Sequence, residues 1–470
     1  MRWFVAALVA AAGAAAIVTS LVLWRGGGER SYVLPQDAMP GRLLVGFQDD
    51  ASFRWAADRA RMLDDARDAH AVVIRTTLVW AQAAPRRPAD AASSFDPAYR
   101  FDELDDLARN AQQRGIELLI TIWGTPSWAN GDLGPNHAPT AAHDLEDVAQ
   151  AVADRYSGRH AGNPTVRLFS AWNEPNLEQF LAPQFDARGA SVGPAVYAPI
   201  ARAIYDGVKR GNQDALVAIG ETSPRGHDVP SRGSVQDSHS PARFARLLSE
   251  QRPTVQFDAW AQHPYPPHSK IAPSQPVRWP RVGFADLPRF ERALDDWFGR
   301  DDIPLWLTEY GHETSPADPN GVSESLQAEY AREAVSLAAA DPRVRMFIWF
   351  IVRDRPATPW QSGVLAEDGS PKPAIAAFSE AARRVDARNP VLPPGAEVAR
   401  LPALELAYHA PAGSPIRVDV GGRRELSVPL GSDGWIRVPV DAPTGSVLDV
   451  RATDEYGLSV DRTVRIAPVD

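Results

Sequence analysis

Short apolar runs alternate with amphipathic helical segments along most of the chain. Each run is followed by a segment in which apolar residues recur with α-helical spacing, as in Arg54–Ala69 and Ser323–Ala340. Strands that are apolar on both faces and alternate with helices are typical of a buried parallel sheet. The eight runs are Leu43–Phe47, Val72–Thr76, Ile116–Trp123, Val166–Trp172, Leu216–Gly220, Phe257–Gln262, Leu305–Thr308 and Val344–Phe350.

Eight strand–helix units predict an α/β fold, the (β/α)8 TIM barrel, over residues 41–388. The rival architecture is a doubly wound open sheet. That fold would need a glycine-rich turn after its first strand. The sequence there is Gln48-Asp49-Asp50, which favours the barrel.

The N-terminal segment, residues 1–40, has a different pattern. Trp3–Trp24 contains no charged residue and would span about 33 Å as a helix, against a hydrocarbon core of about 30 Å. We therefore expect an uncleaved membrane-anchor helix with a short tether, in a single-pass cell-membrane protein whose barrel domain lies outside the cytoplasm. The alternative is a cleaved signal peptide and a secreted protein, because Ala-x-Ala triplets occur around Ala10–Ala16.

The C-terminal segment, residues 396–470, reads as a small all-β module that follows a proline-rich stretch, Asn389–Gly395. Short alternating runs separated by Gly, Pro, Asp and Ser predict a sandwich-like domain. Its few aromatic residues favour a structural role over glycan binding; they are Tyr408, Trp435 and Tyr456.

Composition narrows the possible functions. The chain of 470 residues carries 49 Lys+Arg and 59 Asp+Glu, a net charge of −10, so a nucleic-acid partner is not expected. It has no cysteine, which excludes disulfides, thiolate metal sites and cysteine nucleophiles. No cofactor or metal is expected, since the loop histidines lack ligand spacing; they are His227, His239 and His268. Fourteen tryptophans are compatible with stacking on sugar rings.

Two glutamates stand where a barrel enzyme carries its reactive groups, at the carboxyl ends of strands. The fourth run leads into Asn173-Glu174-Pro175, and the seventh into Glu309. Both side chains are expected at the mouth of the barrel. Two facing carboxyl groups are the equipment of glycoside hydrolysis.

These motifs resemble glycoside hydrolase clan A, and most of all family 39 and the cellulase-like members near family 5. The resemblance rests on Trp172-Asn173-Glu174-Pro175 and Thr308-Glu309-Tyr310-Gly311 and covers residues 41–385. It implies a retaining glycosidase with Glu174 as general acid/base and Glu309 as nucleophile. Asn173 would form a hydrogen bond with the 2-hydroxyl of the reacting sugar. In such enzymes the two carboxyl groups lie about 5–5.5 Å apart.

Further matching residues lie at other strand ends. The resemblance implies that Arg75 lies against the nucleophile, that His263 lies near the sugar, and that the Tyr265 hydroxyl contacts the nucleophile. It also implies that Trp349 forms the floor of the subsite for the reacting sugar.

Three other residues have two readings each. Trp123 and Trp128, in the loop after the third run, would either line sugar subsites or pack beneath that loop. Glu221 ends the fifth strand region and would either touch substrate or pair with a neighbouring charge.

The predicted partner is a polysaccharide or oligosaccharide, with endo-hydrolysis of a cell-surface or extracellular polymer favoured. The alternatives are an exo-acting β-xylosidase-like enzyme and a transglycosylase, which would use the same site. A non-catalytic glycan-binding barrel is a different class of function. It would keep the aromatic residues but would not need both glutamates.

Overall fold

The structure is a computed structural model. It describes residues 43–160, 163–231, 236–301, 303–316, 318–355 and 360–385, and then the segments 399–400, 403–407, 414–421, 425–430, 435–439, 447–453 and 459–465. The expected membrane anchor and most of the expected boundary near residue 390 lie outside these residues. Within the described part, no helix is both long enough and apolar enough to cross a membrane.

Eight parallel strands close into a barrel in sequence order, with β8 paired to β1. This confirms the predicted TIM barrel. The strands β5 and β7 run two residues further than their apolar runs, so Glu221 and Glu309 lie inside strands. The strands are β1 Leu44–Gln48, β2 Val73–Val79, β3 Glu117–Trp123, β4 Leu168–Ala171, β5 Leu216–Thr222, β6 Ala259–Gln262, β7 Leu305–Tyr310 and β8 Val344–Phe350.

Helices occupy every connection between consecutive strands and follow β8. The α-helices are α1 Arg59–Asp68, α2 Trp80–Ala83, α3 Asp102–Gln113, α4 Ser127–Asn130, α5 Ala142–Arg155, α6 Gly193–Gly211, α7 Pro241–Ser249, α8 Leu287–Phe298, α9 Glu324–Ala340 and α10 Pro373–Val385. A π-helix, Ala51–Trp55, follows β1, and a 3-10 turn, Phe284–Asp286, precedes α8.

The strands contribute one buried apolar cluster that fills the barrel toward their amino ends. Leu44, Val73, Leu119, Leu168, Ala261, Trp306 and Ile348 are among its members. Side chains on a strand point to one face at every second residue. Two residues further along, the same face carries mostly polar side chains, Arg75, Thr121, Ser170 and His263, with Phe350 as an apolar exception. The interior therefore changes from apolar to polar as the strands approach their carboxyl ends.

The C-terminal region contains two antiparallel sheets, ordered β13-β10-β9 and β12-β11-β14-β15. Buried residues from both sheets, including Ile416, Ile436 and Val450, form one apolar cluster. The strands are β9 Ala399–Arg400, β10 Ala403–Ala407, β11 Pro415–Val420, β12 Glu425–Pro429, β13 Trp435–Pro439, β14 Val447–Thr453 and β15 Ser459–Arg465.

Two glycines one turn apart allow α6 to pack directly on the backbone of α5. A Cβ atom added at Gly207 would lie 2.1 Å from the carbonyl oxygen of Glu146. A Cβ atom at Gly211 would lie 2.3 Å from the carbonyl oxygen of Gln150. The contact of these helices therefore depends on the absence of side chains at both positions.

Replacing Gly207 by alanine should destabilise the barrel by about 1–3 kcal/mol, because the added methyl group forces two packed backbones apart. Urea unfolding followed by circular dichroism measures this change. Asp206→Ala is the control, since Asp206 lies exposed on the same helix and its loss should change stability by less than about 0.5 kcal/mol. Equal stability of the Gly207→Ala variant and the native protein would contradict the packing described here.

Candidate active site

A buried arginine lies at the centre of the polar end of the barrel. Arg75 on β2 has no exposed surface. Its Nε donates to Thr121 Oγ1 at 2.8 Å, and its Nη2 donates to Asn173 Oδ1 at 2.8 Å. The guanidinium also donates to the carboxylates of Glu221 and Glu309. The guanidinium also donates to Gln48 of β1, so Arg75 joins side chains from six strand regions, β1 to β5 and β7.

Glu309 projects from the carboxyl-terminal part of β7, and its side chain is 13% exposed. The strand register between β7 and β8 is interrupted between Leu307 and Tyr310, and this irregularity accompanies the turn of Glu309 toward the cleft. One carboxylate oxygen accepts a hydrogen bond from the guanidinium of Arg75. The other accepts a hydrogen bond from the Tyr265 hydroxyl at 3.2 Å. The carboxylate is thus fixed in orientation while one part of it remains accessible.

Glu174 follows β4 in a tight segment of backbone. Trp172 and Glu174 have φ angles of 72° and 37°, in the left-handed region that residues with a side chain rarely adopt. Backbone hydrogen bonds hold this segment, from Trp172 N to Ile122 O at 3.0 Å and from Glu174 N to Glu221 O at 3.1 Å. They direct the Glu174 carboxyl group, 14% exposed, into the barrel mouth.

His263, directly after β6, connects the two glutamates. Its Nδ1 lies 3.0 Å from Glu174 Oε1 and 3.6 Å from Glu309 Oε2, and its Nε2 lies 3.3 Å from Glu221 Oε2. Burial alone would lower the pKa of His263, but the carboxylates of Glu309, Glu174 and Glu221 outweigh it and raise the pKa to about 9. The imidazole is therefore cationic at neutral pH.

One atom each of Glu174, His263 and Glu309 lies within 4.8 Å of the others, a spacing that could also hold a metal ion. A histidine binds a metal ion through its neutral imidazole, not through the imidazolium. The raised pKa of His263 and the contact between Arg75 and Glu309 both oppose a cation at this point. The cluster is better suited to holding and moving a proton.

The cluster opens into a cleft of about 940 Å³ between the loops at the carboxyl ends of the strands. Asn173, Glu174 and Glu309 lie at its base. Its walls include aromatic side chains and residues of the loops after β5, β6 and β7; among them are Trp123, Phe180, Arg225, His227, Tyr265, His268, Arg281, Glu313 and Trp360.

Trp349 does not line this cleft. It is fully buried on β8, and its indole donates to the carbonyl of Ser362 at 2.8 Å. The aromatic side chain of β8 that faces the cleft is the next one, Phe350, because neighbouring strand residues point to opposite faces. Trp360 lies beside it, with ring centroids 5.9 Å from Phe350 and 5.4 Å from Tyr265.

The two candidate tryptophans, Trp123 at the end of β3 and Trp128 beyond it, lie in different surroundings. Trp123 lines the cleft, with its ring edge-on to Phe180 at 6.0 Å. Trp128 instead packs beneath the loop. Its indole donates to Ala84 O at 2.8 Å, its ring meets Trp80 at 5.5 Å, and the Arg87 guanidinium lies over it at 4.4 Å. Trp128 is therefore better explained as a packing residue.

The loop histidines also differ in their surroundings. His227 and His268 are exposed and line the cleft. His239 is buried, with Nδ1 2.8 Å from Gln184 Oε1 and Nε2 2.6 Å from Ser191 Oγ, so its contacts are structural. Burial lowers the pKa of His239 to about 4.

Two contributors to the site were missed or left undecided by the sequence. Gln48, the last residue of β1, accepts a hydrogen bond from Arg75 and lines the cleft. Its position at a strand end was the only available signal. Glu221 has no exposed surface and pairs with Arg75 and His263, so the structure favours the charge-pair reading of this residue over contact with substrate.

Arg75→Met should destabilise the protein by about 3–5 kcal/mol at pH 7, because it removes the guanidinium that pairs with the buried carboxylate of Glu221 and the partly buried carboxylate of Glu309. Chemical unfolding measures the change. Arg59→Met is the control: its side chain is 46% exposed and pairs with Asp106, which is 42% exposed, so about 1 kcal/mol or less should be lost. Similar losses in the two variants would contradict the central role of Arg75.

Several solved structures share the fold. A family 39 glycoside hydrolase from Bacteroides cellulosilyticus WH2 is 17% identical, with a TM-score of 0.54 over 86% of this chain and 80% of that one. A GH5_18 protein from Streptomyces cattleya, in complex with GlcNAc, is 18% identical, with a TM-score of 0.52 over 75% and 82%. A glucosidase from Croceicoccus marinus is 16% identical, with a TM-score of 0.51 over 86% and 76%. A search of curated proteins gave no significant match.

The sequence itself matches a family model over most of the barrel. That model is "Cellulase (glycosyl hydrolase family 5)", and the match extends over residues 44–352, from β1 to just beyond β8. The matched region includes Glu174, Glu309 and Arg75. The chain therefore belongs to the cellulase family, glycosyl hydrolase family 5, and is a glycoside hydrolase.

Proposed function

We propose that the protein is a retaining β-glycoside hydrolase in which Glu309 is the nucleophile and Glu174 the general acid/base. The observation that carries the proposal is the approach of the two carboxyl groups, which place oxygens within 4.8 Å of each other. Inverting enzymes need about 6.5–9.5 Å, to leave room for a water molecule. The limit found here lies below that range and suits a retaining enzyme, in which the two carboxyl groups are about 5–5.5 Å apart.

The reaction would proceed in two displacements. In the first, a Glu309 oxygen forms a bond to the anomeric carbon, while Glu174 gives its proton to the departing glycosidic oxygen. In the second, Glu174 takes a proton from water, the water oxygen bonds to the anomeric carbon, and the bond to Glu309 breaks. Each displacement inverts the anomeric carbon, so the product retains its configuration.

The surrounding groups suit this sequence of steps. The guanidinium of Arg75 keeps Glu309 beside a positive charge, and the Tyr265 hydroxyl orients the second carboxylate oxygen. Asn173 is held by Arg75 at the base of the cleft, where its amide would donate to the 2-hydroxyl of the reacting sugar. The aromatic rings of Trp123, Phe350 and Trp360 provide apolar surfaces for sugar rings.

For the substrate we propose a polysaccharide, cut internally. The cleft has room for more than one sugar ring, and its walls include residues of the loops after β4 to β8. The similar protein from Streptomyces cattleya was solved with GlcNAc, which supports a carbohydrate ligand. Exo-cleavage of short β-glycosides and transfer to an acceptor sugar use the same groups and would show as different products.

Glu309→Gln should reduce turnover of every glycoside to background, because the amide cannot form the glycosyl intermediate. Glu174→Gln should slow substrates with poor leaving groups by about 10²–10⁴-fold and spare the first step on activated aryl glycosides. The measurements are reducing-end release from a panel of β-linked polysaccharides and aryl β-glycosides, product length, and proton NMR of the first anomer formed.

Glu367→Gln, at an exposed loop carboxyl, is the control and should keep the native rate. Near-native turnover by Glu309→Gln, or an inverted first anomer, would refute the proposed mechanism. Binding of sugars by the native protein without cleavage of any substrate would favour the glycan-binding alternative.

We also propose that the catalytic domain is held at the outer face of the cell membrane by the uncharged segment Trp3–Trp24. If so, the full-length protein should stay in the membrane fraction after carbonate extraction, and external protease should digest it in intact cells. Replacing Ala11 and Val18 by arginine should release it into the soluble fraction. A mature protein that begins after residue 10 would instead indicate signal cleavage and secretion.

A further inference from the structure

Glu221 occupies an unusual place in the barrel wall. It lies near the end of β5 with a φ of 47°, and the pairing of β5 with β6 shifts register between Gly220 and Thr222. A non-glycine residue is strained in this region and persists only where its surroundings hold it. Its carbonyl oxygen accepts the backbone N–H of Glu174 at 3.1 Å. The local distortion of β5 is thus joined to the segment that carries the proposed acid/base.

The Glu221 carboxylate contacts both cations of the site, Arg75 and His263. Its Oε2 lies 3.3 Å from His263 Nε2 and also accepts from Arg75 Nη2. The opposite side of the imidazole, Nδ1, faces Glu174 and Glu309, and the other terminal nitrogen of the guanidinium donates to Glu309. One buried oxygen therefore fixes the two groups that hold both reacting carboxyls.

We propose that Glu221 is a positioning residue that holds His263 as a cation and Arg75 in place, and through them orients Glu174 and Glu309. Glu221 has no exposed surface, so it acts through these neighbours and does not touch substrate. The catalytic part of this inference rests on the proposed function. The part that concerns the charge of His263 is a property of the free protein.

Charge balance explains why a third glutamate is needed. Within the described part of the chain, the ionisable groups that make up or face this cluster around His263 are Glu174, Glu221, Glu309, Arg75 and Tyr265. When Glu174 carries the proton it will donate, two cations, Arg75 and His263, face two anions, Glu221 and Glu309. Without Glu221 the buried site would hold one excess positive charge, which His263 would relieve by losing its proton.

The pKa shifts have the corresponding directions. Burial alone would raise the pKa of Glu221, but Arg75 and His263 outweigh it and lower the pKa, so Glu221 is ionised. Glu221 is one of three carboxylates that hold the pKa of His263 at about 9 despite burial. Removing its charge must therefore lower the pKa of His263, and the imidazolium must be lost at a lower pH.

The first test is an NMR titration of the histidine side chains in the free full-length protein, with His263→Asn to assign the His263 signal. Glu221→Gln should lower the His263 midpoint by about one pH unit or more. Glu117→Gln is the matched control, because Glu117 is also a buried strand carboxylate paired with an arginine, Arg167, but lies at the amino end of β3. It should leave the His263 midpoint unchanged.

The second test is the pH dependence of turnover on an activated aryl glycoside. Glu221→Gln should lower kcat by about 10²-fold with little change in KM. The alkaline limb of its pH–rate profile should also move to lower pH. Glu221→Asp keeps the charge but is shorter; it should lose kcat while its alkaline limb stays near the native position. This variant also provides the readout if Glu221→Gln fails to fold.

The outcomes separate the two proposals. The role of Glu221 would be overturned if the NMR titration midpoint of His263 were unchanged in Glu221→Gln. It would also be overturned if the alkaline limb of the Glu221→Asp pH–rate profile lay well below the native one. Loss of kcat in Glu221→Gln with a native pH profile would reduce Glu221 to a structural residue and overturn it as well. Full activity of Glu309→Gln would refute the proposed nucleophile, yet it would leave the NMR result on His263 standing.

Discussion

The active end of this barrel depends on one buried guanidinium. Arg75 has no contact with solvent, so its charge requires partners in the protein interior. Those partners come from β1, β3, β5, β7 and the residue region after β4. Each strand must place its hydrogen-bond partner of Arg75 at the same position along the barrel axis. Arg75 therefore fixes the relative positions of the strand ends along that axis. The geometry of the two reacting carboxyls follows from that arrangement.

The sequence predicted the barrel from its eight apolar runs and the helical segments between them, whereas the alternation of side chains within a strand explains one residue that it could not place. Inward positions carry apolar residues at the amino ends of the strands and polar ones two residues later, as in Val73 and Arg75 or Ala261 and His263. The same alternation turns Phe350 toward the cleft and buries Trp349, a difference of one residue that an apolar run such as Phe347–Phe350 does not reveal.

Other features of the site arise from contacts between distant segments, which one sequence without structure cannot show. The left-handed backbone at Trp172, Glu174 and Glu221 occurs at residues whose side chains give no sign of it. The partner of the Glu221 carboxylate depends on the register between β5, β6 and β2. A strand-end glutamate is readable in the sequence; whether it faces substrate or a buried cation is decided only by the closed barrel.

The charged cluster is costly to fold, and this points to its purpose. Apolar residues of similar volume often match or exceed the stability of a buried ion pair. Here two cations and three carboxyl groups share the barrel mouth, and two of their backbone positions are strained. Stability comes instead from the apolar strand cluster below them and from packed helices such as α5 and α6. The cluster is therefore best understood as a preorganised field, in which the charges are already in place when the substrate's own charge develops.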